Sequence, residues 1–249
     1  YIVPKYDFHV FNDYVEKNGV APAKLDTEVL ESAIHDVDVI HVMIPFALGK
    51  AAAHYAHDHH IALTAGFHCQ AENITNHIFL QNSPHANTTV YRILYERLYQ
   101  FCDRIHYPTQ FIRDTFESVV GATPGRVISN GVSAEFHPIP VDRPPELEGK
   151  YIVLFTGRYS REKSHRVLLD AVAQSRNRDH IQLIFAGAGP QEAHLRQHAE
   201  KLGIAMPIMQ FYSRQELLHT INMADLYVHP AEIEIEAISC LEAIACGKV

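Results

Sequence analysis

The sequence predicts an α/β protein made of two domains, each built around a parallel β-sheet. Short segments that are apolar almost throughout, such as Tyr151–Thr156 and Ile181–Ala186, alternate with longer segments of helical periodicity. Strands that are apolar on both faces are typical of parallel sheets covered by helices on either side. A proline-rich, charged segment, Pro138–Gly149, interrupts the alternation and is typical of a linker. We therefore expect one domain over residues 1–143 and another over 144–249.

The composition is that of a globular protein and argues against general nucleic-acid binding. Of the 249 residues, 47% are hydrophobic and 20% are charged, and the formal net charge of −8 leaves no basic surplus to neutralise phosphates. No apolar run approaches the roughly 20 residues that span a bilayer, and no signal peptide is visible. The four cysteines lack the spacing of a zinc site. We expect a cytoplasmic protein with reduced thiols.

The first domain is expected to begin with an irregular segment over residues 1–25. Its helices are predicted over 26–35, 47–60, 88–102 and 109–120, and its strands over 37–44, 61–66, 104–108 and 126–129. Asp26 and Thr109 are residue types that cap a helix N-terminus. Residues 67–87 are expected to form a polar loop, in which His68 follows the end of a strand. Open α/β sheets bind ligands at that end, so His68 is a candidate site residue, and a loop histidine without function is the alternative.

Two side-chain clusters in this domain each allow two interpretations. Tyr91, Tyr95 and Tyr99 recur every four residues, and this stripe either packs on the sheet or touches a lipid surface; we favour packing. His54 and His57 share a helix face near further histidines, which would suit a metal ion. Polar residues are also ordinary at a helix C-terminus, and we favour that interpretation over a metal site.

The second domain is predicted to repeat the strand and helix alternation. Strands are expected over 151–156, 181–186, 206–211 and 225–229, with helices over 164–174, up to 202, over 214–223 and up to 247. Gly187-Ala188-Gly189-Pro190 invites a dinucleotide interpretation, but the third glycine of the nucleotide-binding fingerprint is missing and no acidic residue ends the next strand. We therefore do not expect an NAD enzyme.

The stretch from His229 to Gly247 carries the main functional signal. It runs from the end of a strand, through a loop with Glu234, into an apolar helix that contains Glu242. A helix N-terminus binds anions such as phosphate, because its first N–H groups lack partners and the helix dipole adds positive charge. Flanking carboxylates can accept hydrogen bonds from sugar hydroxyls, which favours a nucleotide-sugar. An ordinary surface helix with scattered acids is the alternative.

A second signal lies in the loop after the strand Tyr151–Thr156. Arg158 and Lys163 follow Gly157 in this loop, where two cations can converge on a diphosphate. A sugar-nucleotide leaving group gains negative charge as the glycosidic bond breaks, and fixed cations or a metal ion can stabilise it. Taken alone, a solvated charged loop is the better interpretation.

The two signals together resemble the donor-site motif of family 4 glycosyltransferases. The shared pattern is a glutamate, seven residues, then Glu-Ala-x-Ala-x-Gly, here Glu234 and Glu242–Gly247, directly after a strand and a His-Pro. These enzymes retain the configuration of the transferred sugar and have the GT-B fold, in which two Rossmann-like domains face each other across a cleft. By this resemblance the chain is a fragment that lacks the first strands and the C-terminal end of the fold.

The resemblance implies a role for each motif residue. Glu234 corresponds to the acid that contacts the donor sugar and Glu242 to the acid that binds the ribose. Ala237 and Ile238, at the start of the helix, belong to the same donor site. His68 corresponds to a histidine at the reacting sugar, so Glu234 and His68 are the expected catalytic residues.

The resemblance also assigns the phosphate and base contacts. Gly157, Arg158 and Lys163 correspond to the clamp on the diphosphate, which makes a metal ion unnecessary. The nucleobase is expected near Phe211–Ser213. The Gly-x-Gly-Pro turn would serve tight packing beside the donor. One departure is visible, because the family often has Glu-Gly-Phe-Gly where this chain has Glu234-Ile235-Glu236-Ala237.

We therefore predict a metal-independent, retaining hexosyltransferase without a cofactor. Its donor is expected to be UDP-linked, and its acceptor a hydroxyl of a lipid or glycan, with peripheral contact at the inner membrane face. One alternative is another GT-B enzyme such as a sugar-nucleotide epimerase, which would need further catalytic acids. The other is a GT-B binding protein without turnover, which the departure after Glu234 favours.

Overall fold

The chain forms two parallel-sheet units. The computed structural model describes residues 1–7, 9 and 23–248. The first unit is Tyr1–Asn130 and the second is Gly131–Val249. Each contains a four-stranded sheet whose strands pair in parallel, so the predicted α/β class with two parallel sheets is confirmed. Residues 8 and 10–22, most of the segment predicted to be irregular, lie outside the described residues.

The first unit alternates helices and strands as expected. Its elements are α1 (Thr27–Ile34), β1 (Val39–Val42), α2 (Ala47–Asp58), β2 (Ala62–Gly66), α3 (Ala71–Thr75), α4 (Pro84–Arg97), β3 (Arg104–Tyr107), α5 (Gln110–Val120) and β4 (Gly125–Val127). The sheet order is β1-β2-β3-β4. Each strand therefore lies beside the next one along the chain.

The N-termini of the helices show which local sequence signals were sufficient to predict where a helix begins. The side chains of Asp26 and Thr109 accept hydrogen bonds from the backbone N–H groups of α1 and α5, as predicted. The prediction for α4 was wrong by four residues, since the helix begins at Pro84 and not at Thr88. Ser83 Oγ accepts from the N–H of Ala86, and proline suits the first helical position because its missing N–H would have no partner there. The short helix α3 also lies in the predicted loop.

The tyrosine stripe packs in the core, as favoured from the sequence. Tyr91 and Tyr99 are 2% and 1% exposed and surround Phe116, with ring centroids 5.8 and 5.4 Å from it. The Tyr91 hydroxyl donates to Glu72 Oε2 at 2.7 Å, and the Tyr99 hydroxyl donates to the Gly66 carbonyl at 3.3 Å. The buried hydroxyls thus have partners, as buried polar groups require.

The second unit has the alternation of a doubly wound sheet. Its elements are β5 (Tyr151–Thr156), α6 (His165–Gln174), β6 (Ile181–Ala186), α7 (Glu192–Leu202), β7 (Ile208–Gln210), α8 (Arg214–Met223), β8 (Leu226–Tyr227) and α9 (Ile238–Ala245). The sheet order is β7-β6-β5-β8. In the part of the chain that the structure describes, no helix combines the length and apolarity needed to cross a membrane.

Both faces of the second sheet are buried. Ile152 and Leu154 of β5 point to one face, where they meet residues of α8 and α9. Val153 and Phe155 point to the other face, which is covered by α6 and α7. This arrangement explains why the four central positions of β5, from Ile152 to Phe155, are all apolar, since successive side chains of a strand point to opposite faces.

The predicted linker belongs to the second unit. Leu147, within the predicted linker, is 6% exposed and lies in the core of that unit, as does Phe136, which precedes the linker and is 4% exposed. The backbone N–H of Ile139 donates to Asn222 Oδ1 at 3.0 Å, and Arg143 forms an ion pair with Asp225. The first unit ends at Asn130, and the stretch from Gly131 to the expected boundary at 143 belongs to the second unit, in whose core Phe136 lies.

Candidate active site

The second sheet has a point where the strand order reverses. The chain passes from β5 outward to β6 and β7 and then returns to place β8 on the other side of β5. β8 pairs with β5 through Val153–Leu226 and Leu154–Tyr227. Open α/β sheets bind ligands at such a reversal, beyond the carboxyl ends of the strands. Here that position is formed by the loop after β5, residues 157–164, and the loop after β8, residues 228–237.

The two loops meet through Lys163 and Glu234. Lys163 Nζ donates to Glu234 Oε1 in an ion pair whose side chains are 20% and 24% exposed. His229 Nε2 lies 2.8 Å from the same oxygen, and Tyr227 Oη lies 3.1 Å from His229 Nδ1. The structure thus brings together the predicted phosphate cation and the predicted sugar acid. The sequence analysis did not propose His229 as a site residue, although its position before a proline at a strand end is a signal.

The protonation states make this network strongly polar. Burial would raise the pKa of Glu234, but hydrogen bonds from His229 and Lys163 and their charges lower it below the usual carboxyl value. Burial would lower the pKa of His229, but its contacts with Cys240 and Glu234 raise that pKa to about 9. Near neutral pH, an ionised carboxylate therefore lies between an ammonium group and an imidazolium.

Arg158 lies in the same loop as Lys163 but has a different partner. Its Nη2 donates to Glu162 Oε1 at 3.1 Å, and Ser160 Oγ donates to that oxygen at 2.5 Å. Burial would raise the pKa of Glu162, but the hydrogen bonds from Ser160 and Arg158 lower it. Arg158 and Lys163 thus each contact a carboxylate, and their expected convergence on a diphosphate remains a prediction.

Further hydrogen bonds fix the two loops to each other. The N–H of Glu232 donates to the Glu162 carbonyl at 2.9 Å, and Ser164 Oγ donates to Glu232 Oε1 at 3.2 Å. Ser164 has the left-handed backbone conformation, with φ of 51°, directly before α6. The backbone that carries Lys163 is therefore held against the backbone that carries Glu234.

The glycines of the Gly-Ala-Gly-Pro turn permit close packing beside these loops. A Cβ atom added to Gly187 would lie 2.0 Å from the carbonyl oxygen of Gly157, and one added to Gly189 would lie 2.6 Å from the carbonyl oxygen of Tyr159. Real Cβ atoms do not approach backbone that closely, so both positions require glycine. The packing role that the resemblance implied agrees with this geometry.

The start of α9 shows how the chain accommodates its departure from the glutamate-glycine pattern. Ala237 has φ −77° and ψ 78°, and the N–H of Ile238 donates to the Glu236 carbonyl at 2.9 Å. This is an inverse γ-turn, which needs no glycine. Glu242 follows within α9 and is half-buried; burial raises its pKa, while Arg214 opposes that shift.

Two further predicted residues follow other strands of the two sheets. Phe211 follows β7, the strand at the far edge of the sheet, and is 77% exposed, as an aromatic platform for a base would be. His68 belongs to the first unit, where it follows β2, and its ring lies edge-on to His106 at 5.6 Å. A Cβ atom on Gly66 would come within 2.3 Å of His68 Nε2, so glycine at the strand end leaves room for this ring.

Two possible metal sequences in the first unit do not form a metal cluster. His54 and His57 both pack on the ring of Phe101, with centroid distances of 5.0 and 5.1 Å. The chain contains an Asp-x-Asp sequence, Asp36-Val37-Asp38, but it precedes β1 and so lies at the amino end of a strand. Across residues 1–7, 9 and 23–248, no group of three or more histidine, cysteine, aspartate or glutamate side chains is placed to hold a metal ion.

Two protein families match adjoining parts of the chain. Residues 7–136 match the family described as Glycosyltransferase Family 4. Residues 141–249 match the family described as Glycosyl transferases group 1. The two matches cover most of both units.

Two characterised proteins are similar over most of the chain. The alpha-monoglucosyldiacylglycerol synthase of Streptococcus pneumoniae is 24% identical over 226 residues, which make up 86% of this chain and 51% of that protein. The GDP-mannose-dependent alpha-mannosyltransferase of Corynebacterium glutamicum is 28% identical over 230 residues, 86% of this chain and 50% of that protein. The chain spans about half the length of these relatives.

A solved structure matches nearly the whole chain. Anabaena HepE, in complex with UDP and glucose, superposes with a TM-score of 0.69 at 19% identity, and the match covers 96% of this chain and 69% of that one. At this identity the likeness shows the fold alone. Together with the two parallel sheets, it confirms the predicted GT-B class.

Proposed function

The chain belongs to glycosyltransferase family 4, and on that basis we propose that the protein transfers a hexose from a nucleotide-sugar to an acceptor hydroxyl with retention of configuration. The observation that carries this proposal is the ion pair between Lys163 and Glu234 at the strand-order reversal of the second sheet. In a nucleotide-sugar, the hexose is bonded directly to the second phosphate. A phosphate-binding cation and a sugar-binding acid must therefore be neighbours, as these two residues are.

The cations of the loop after β5 supply the electrostatic part of the reaction. Lys163 and Arg158 bind the diphosphate and stabilise the negative charge that develops on it as the bond to the sugar breaks. Glu234 accepts hydrogen bonds from sugar hydroxyls, and Glu242 from the ribose. By the family resemblance, the acceptor attacks from the face of the leaving group, whose phosphate takes the acceptor proton. By the same resemblance, His68 is the residue proposed to act at the reacting sugar.

The donor is a UDP-linked hexose and the acceptor is a lipid or glycan. UDP and glucose occupy the structure of HepE, which supports the first choice. The name of the Corynebacterium relative specifies GDP-mannose, so guanine belongs in the test. The name of the Streptococcus relative is that of a glucosyl lipid synthase, which supports a lipid acceptor. The reaction needs neither a cofactor nor a divalent metal, since the two loop cations neutralise the diphosphate.

The test is a transfer assay with the full-length protein. UDP-glucose and GDP-mannose are each supplied with vesicles that contain diacylglycerol, or with a soluble glycan, in the presence of a chelator. Nuclear magnetic resonance identifies the anomer of the product, and an α-linked product from an α-linked donor supports the proposal. Lys163→Met is expected to abolish measurable turnover, whereas the exposed control His194→Gln is expected to keep it.

Two other outcomes would replace the proposal. A sugar that changes its configuration while it remains attached to the nucleotide would identify an epimerase. Binding of a nucleotide-sugar without turnover under any condition would identify a binding protein that keeps the GT-B fold.

A further inference from the structure

His229 lies in a well-defined position at the edge of the network. It follows β8, and its ring is 12% exposed. Pro230 follows it and restricts its backbone to extended conformations. The ring packs near Phe155, with centroids 5.4 Å apart, and lies almost parallel to the ring of Tyr227 at 6.1 Å. These contacts hold the imidazole in one orientation.

Both ring nitrogens of His229 have partners. An ionised carboxylate can only accept a hydrogen bond, so Nε2–H donates to Glu234 Oε1 at 2.8 Å. The hydroxyl of Tyr227 lies 3.1 Å from Nδ1 and can accept from it when the ring is charged. The chain from Tyr227 through His229 to Glu234 thus has a donor and an acceptor at each step.

Glu234 makes two contacts of different kinds, one with Lys163 and one with His229. Lys163 and His229 both approach Oε1, and neither of these contacts uses Oε2. Lysine is a flexible point charge with three donors and can move to a new partner. His229 is a rigid ring in a packed position. A donor that recruits Lys163 to its diphosphate would therefore leave Glu234 with one fixed hydrogen bond.

We infer that His229 is a positioning residue, which keeps Glu234 directed at the donor sugar after Lys163 has moved from Glu234 to the diphosphate. This inference rests on the proposed function. Without His229, the carboxylate would have no fixed contact to orient it once Lys163 has moved, so it would meet the sugar hydroxyls in the right position less often, whereas the contact between Lys163 and the diphosphate would not change. Tyr227 supports the arrangement because it orients the ring through Nδ1.

The test compares two variants that differ in reach. In His229→Gln, the side-chain amide can occupy the position of Nε2 and still donate to Glu234. In His229→Asn, the amide is one carbon shorter, lies near the position of Nδ1 and cannot reach the carboxylate. The full-length protein and both variants are titrated with UDP and with UDP-glucose, and in parallel with GDP and GDP-mannose, by calorimetry.

The sugar-dependent part of the affinity is the deciding quantity. For the nucleotide that the parent protein binds, we expect His229→Asn to weaken binding of the nucleotide-sugar about tenfold, while binding of the free diphosphate changes less than about twofold. His229→Gln is expected to recover most of the loss. Tyr227→Phe is expected to weaken nucleotide-sugar binding by about threefold in the same selective way.

Two results would overturn the inference while the proposed function stands. One is a parent protein that binds a nucleotide-sugar and variants that bind it equally well. The other is an equal loss for nucleotide and nucleotide-sugar, which would show that His229 only supports the fold. A parent protein that binds none of the four probes would instead overturn the proposed function and this inference with it.

Discussion

Lys163 and Glu234 form an ion pair although they lie on loops that follow two different strands of the second sheet. The proposed function assigns them to different parts of one donor, the diphosphate and the sugar. Donor binding must therefore separate the pair, and the energy of that separation is part of the binding equilibrium. Substitutions of the two residues should consequently change the affinities for UDP and for UDP-glucose differently.

Lys163→Met should weaken the binding of UDP and of UDP-glucose to a similar extent, by about tenfold or more, because the lost charge faces the diphosphate that both ligands contain. Glu234→Gln should weaken UDP-glucose relative to UDP, because the lost carboxylate faces the hexose; free UDP has no hexose and should bind the variant at least as well as the parent, since Lys163 is released from its ion pair. Calorimetric titration of the two variants with the two ligands measures both effects. A selective loss of UDP-glucose binding in Lys163→Met would contradict the assignment.

The protonated ring of His229 stabilises the folded state, so the protein should become less stable at alkaline pH, where the ring loses its proton. Its pKa is about 9 in the folded protein and 6.5 for the ordinary group, so the folded state binds the extra proton between these values. The stabilisation is complete below pH 6.5 and is lost as the pH rises through 9. Urea unfolding at pH 6, 7, 8 and 9 should show that the free energy of unfolding falls by about 1–2 kcal/mol over this range. This is less than the full pKa difference would give, because solvent still screens part of the interaction.

The control for this pH effect is His229→Gln, in which the fall should largely disappear. The titratable groups near the ring are Glu234, Cys240, Tyr227, His165 and, through Glu234, Lys163. An equal fall in the variant would assign the pH dependence to one of those groups.

His165 should cause the opposite dependence, a loss of stability in acid. It is 2% exposed, and both ring nitrogens are buried without a hydrogen-bond partner among the described residues. Burial first, and then the charge of Lys163, lower its pKa to about 4. The folded state therefore resists protonation, and its stability should fall from pH 6.5 toward pH 4 by up to about 3 kcal/mol. Urea unfolding over this range should show a smaller fall in His165→Phe than in the parent or in the exposed control His194→Phe.

Gly187→Ala should destabilise the second unit by about 3 kcal/mol, because the new Cβ atom would overlap the carbonyl oxygen of Gly157. The matched control is Ala188→Gly in the same turn, which should cost no more than about 1 kcal/mol, since it only frees the unfolded backbone. Thermal unfolding measures both. Equal effects would show that the turn, rather than the contact, determines the cost.

Phe136→Ala should destabilise the second unit by about 3–4 kcal/mol, because the ring is 4% exposed in the core of that unit and also lies 5.1 Å from the guanidinium of Arg214. Val132→Ala, at a position that is 39% exposed, should cost less than about 1 kcal/mol. These values come from denaturant unfolding. A negligible effect at Phe136 would contradict its place in the core of the second unit.

Local sequence signals predicted the elements that depend on local causes. β5 and β6 have the predicted bounds because a strand that is buried on both faces is apolar over most of its length. α1 and α5 begin after their capping residues for an equally local reason. The burial of Leu147, within the segment predicted as a linker, could not be inferred from composition because it depends on α8 and α9, which are distant in the sequence.

The candidate site shows the same limit. The spacing of Glu234 and Glu242, together with the Arg158 loop, was sufficient to identify the family. Neither spacing nor composition could show that Lys163 and His229 meet at one carboxylate oxygen, because that contact requires β8 to lie beside β5. Strand order is a property of the folded sheet, and it determines which motif residues come into contact.

The pairing of β8 with β5 also bears on how relatives of this protein can diverge. The two loops that are proposed to bind the donor follow adjacent strands of one sheet. The distance between the residue that contacts the phosphate and the residue that contacts the sugar is therefore set within the second unit. Substitutions in the first unit leave that spacing unchanged. A chimera that joins this second unit to the first unit of a relative is therefore expected to keep the donor preference proposed for this protein.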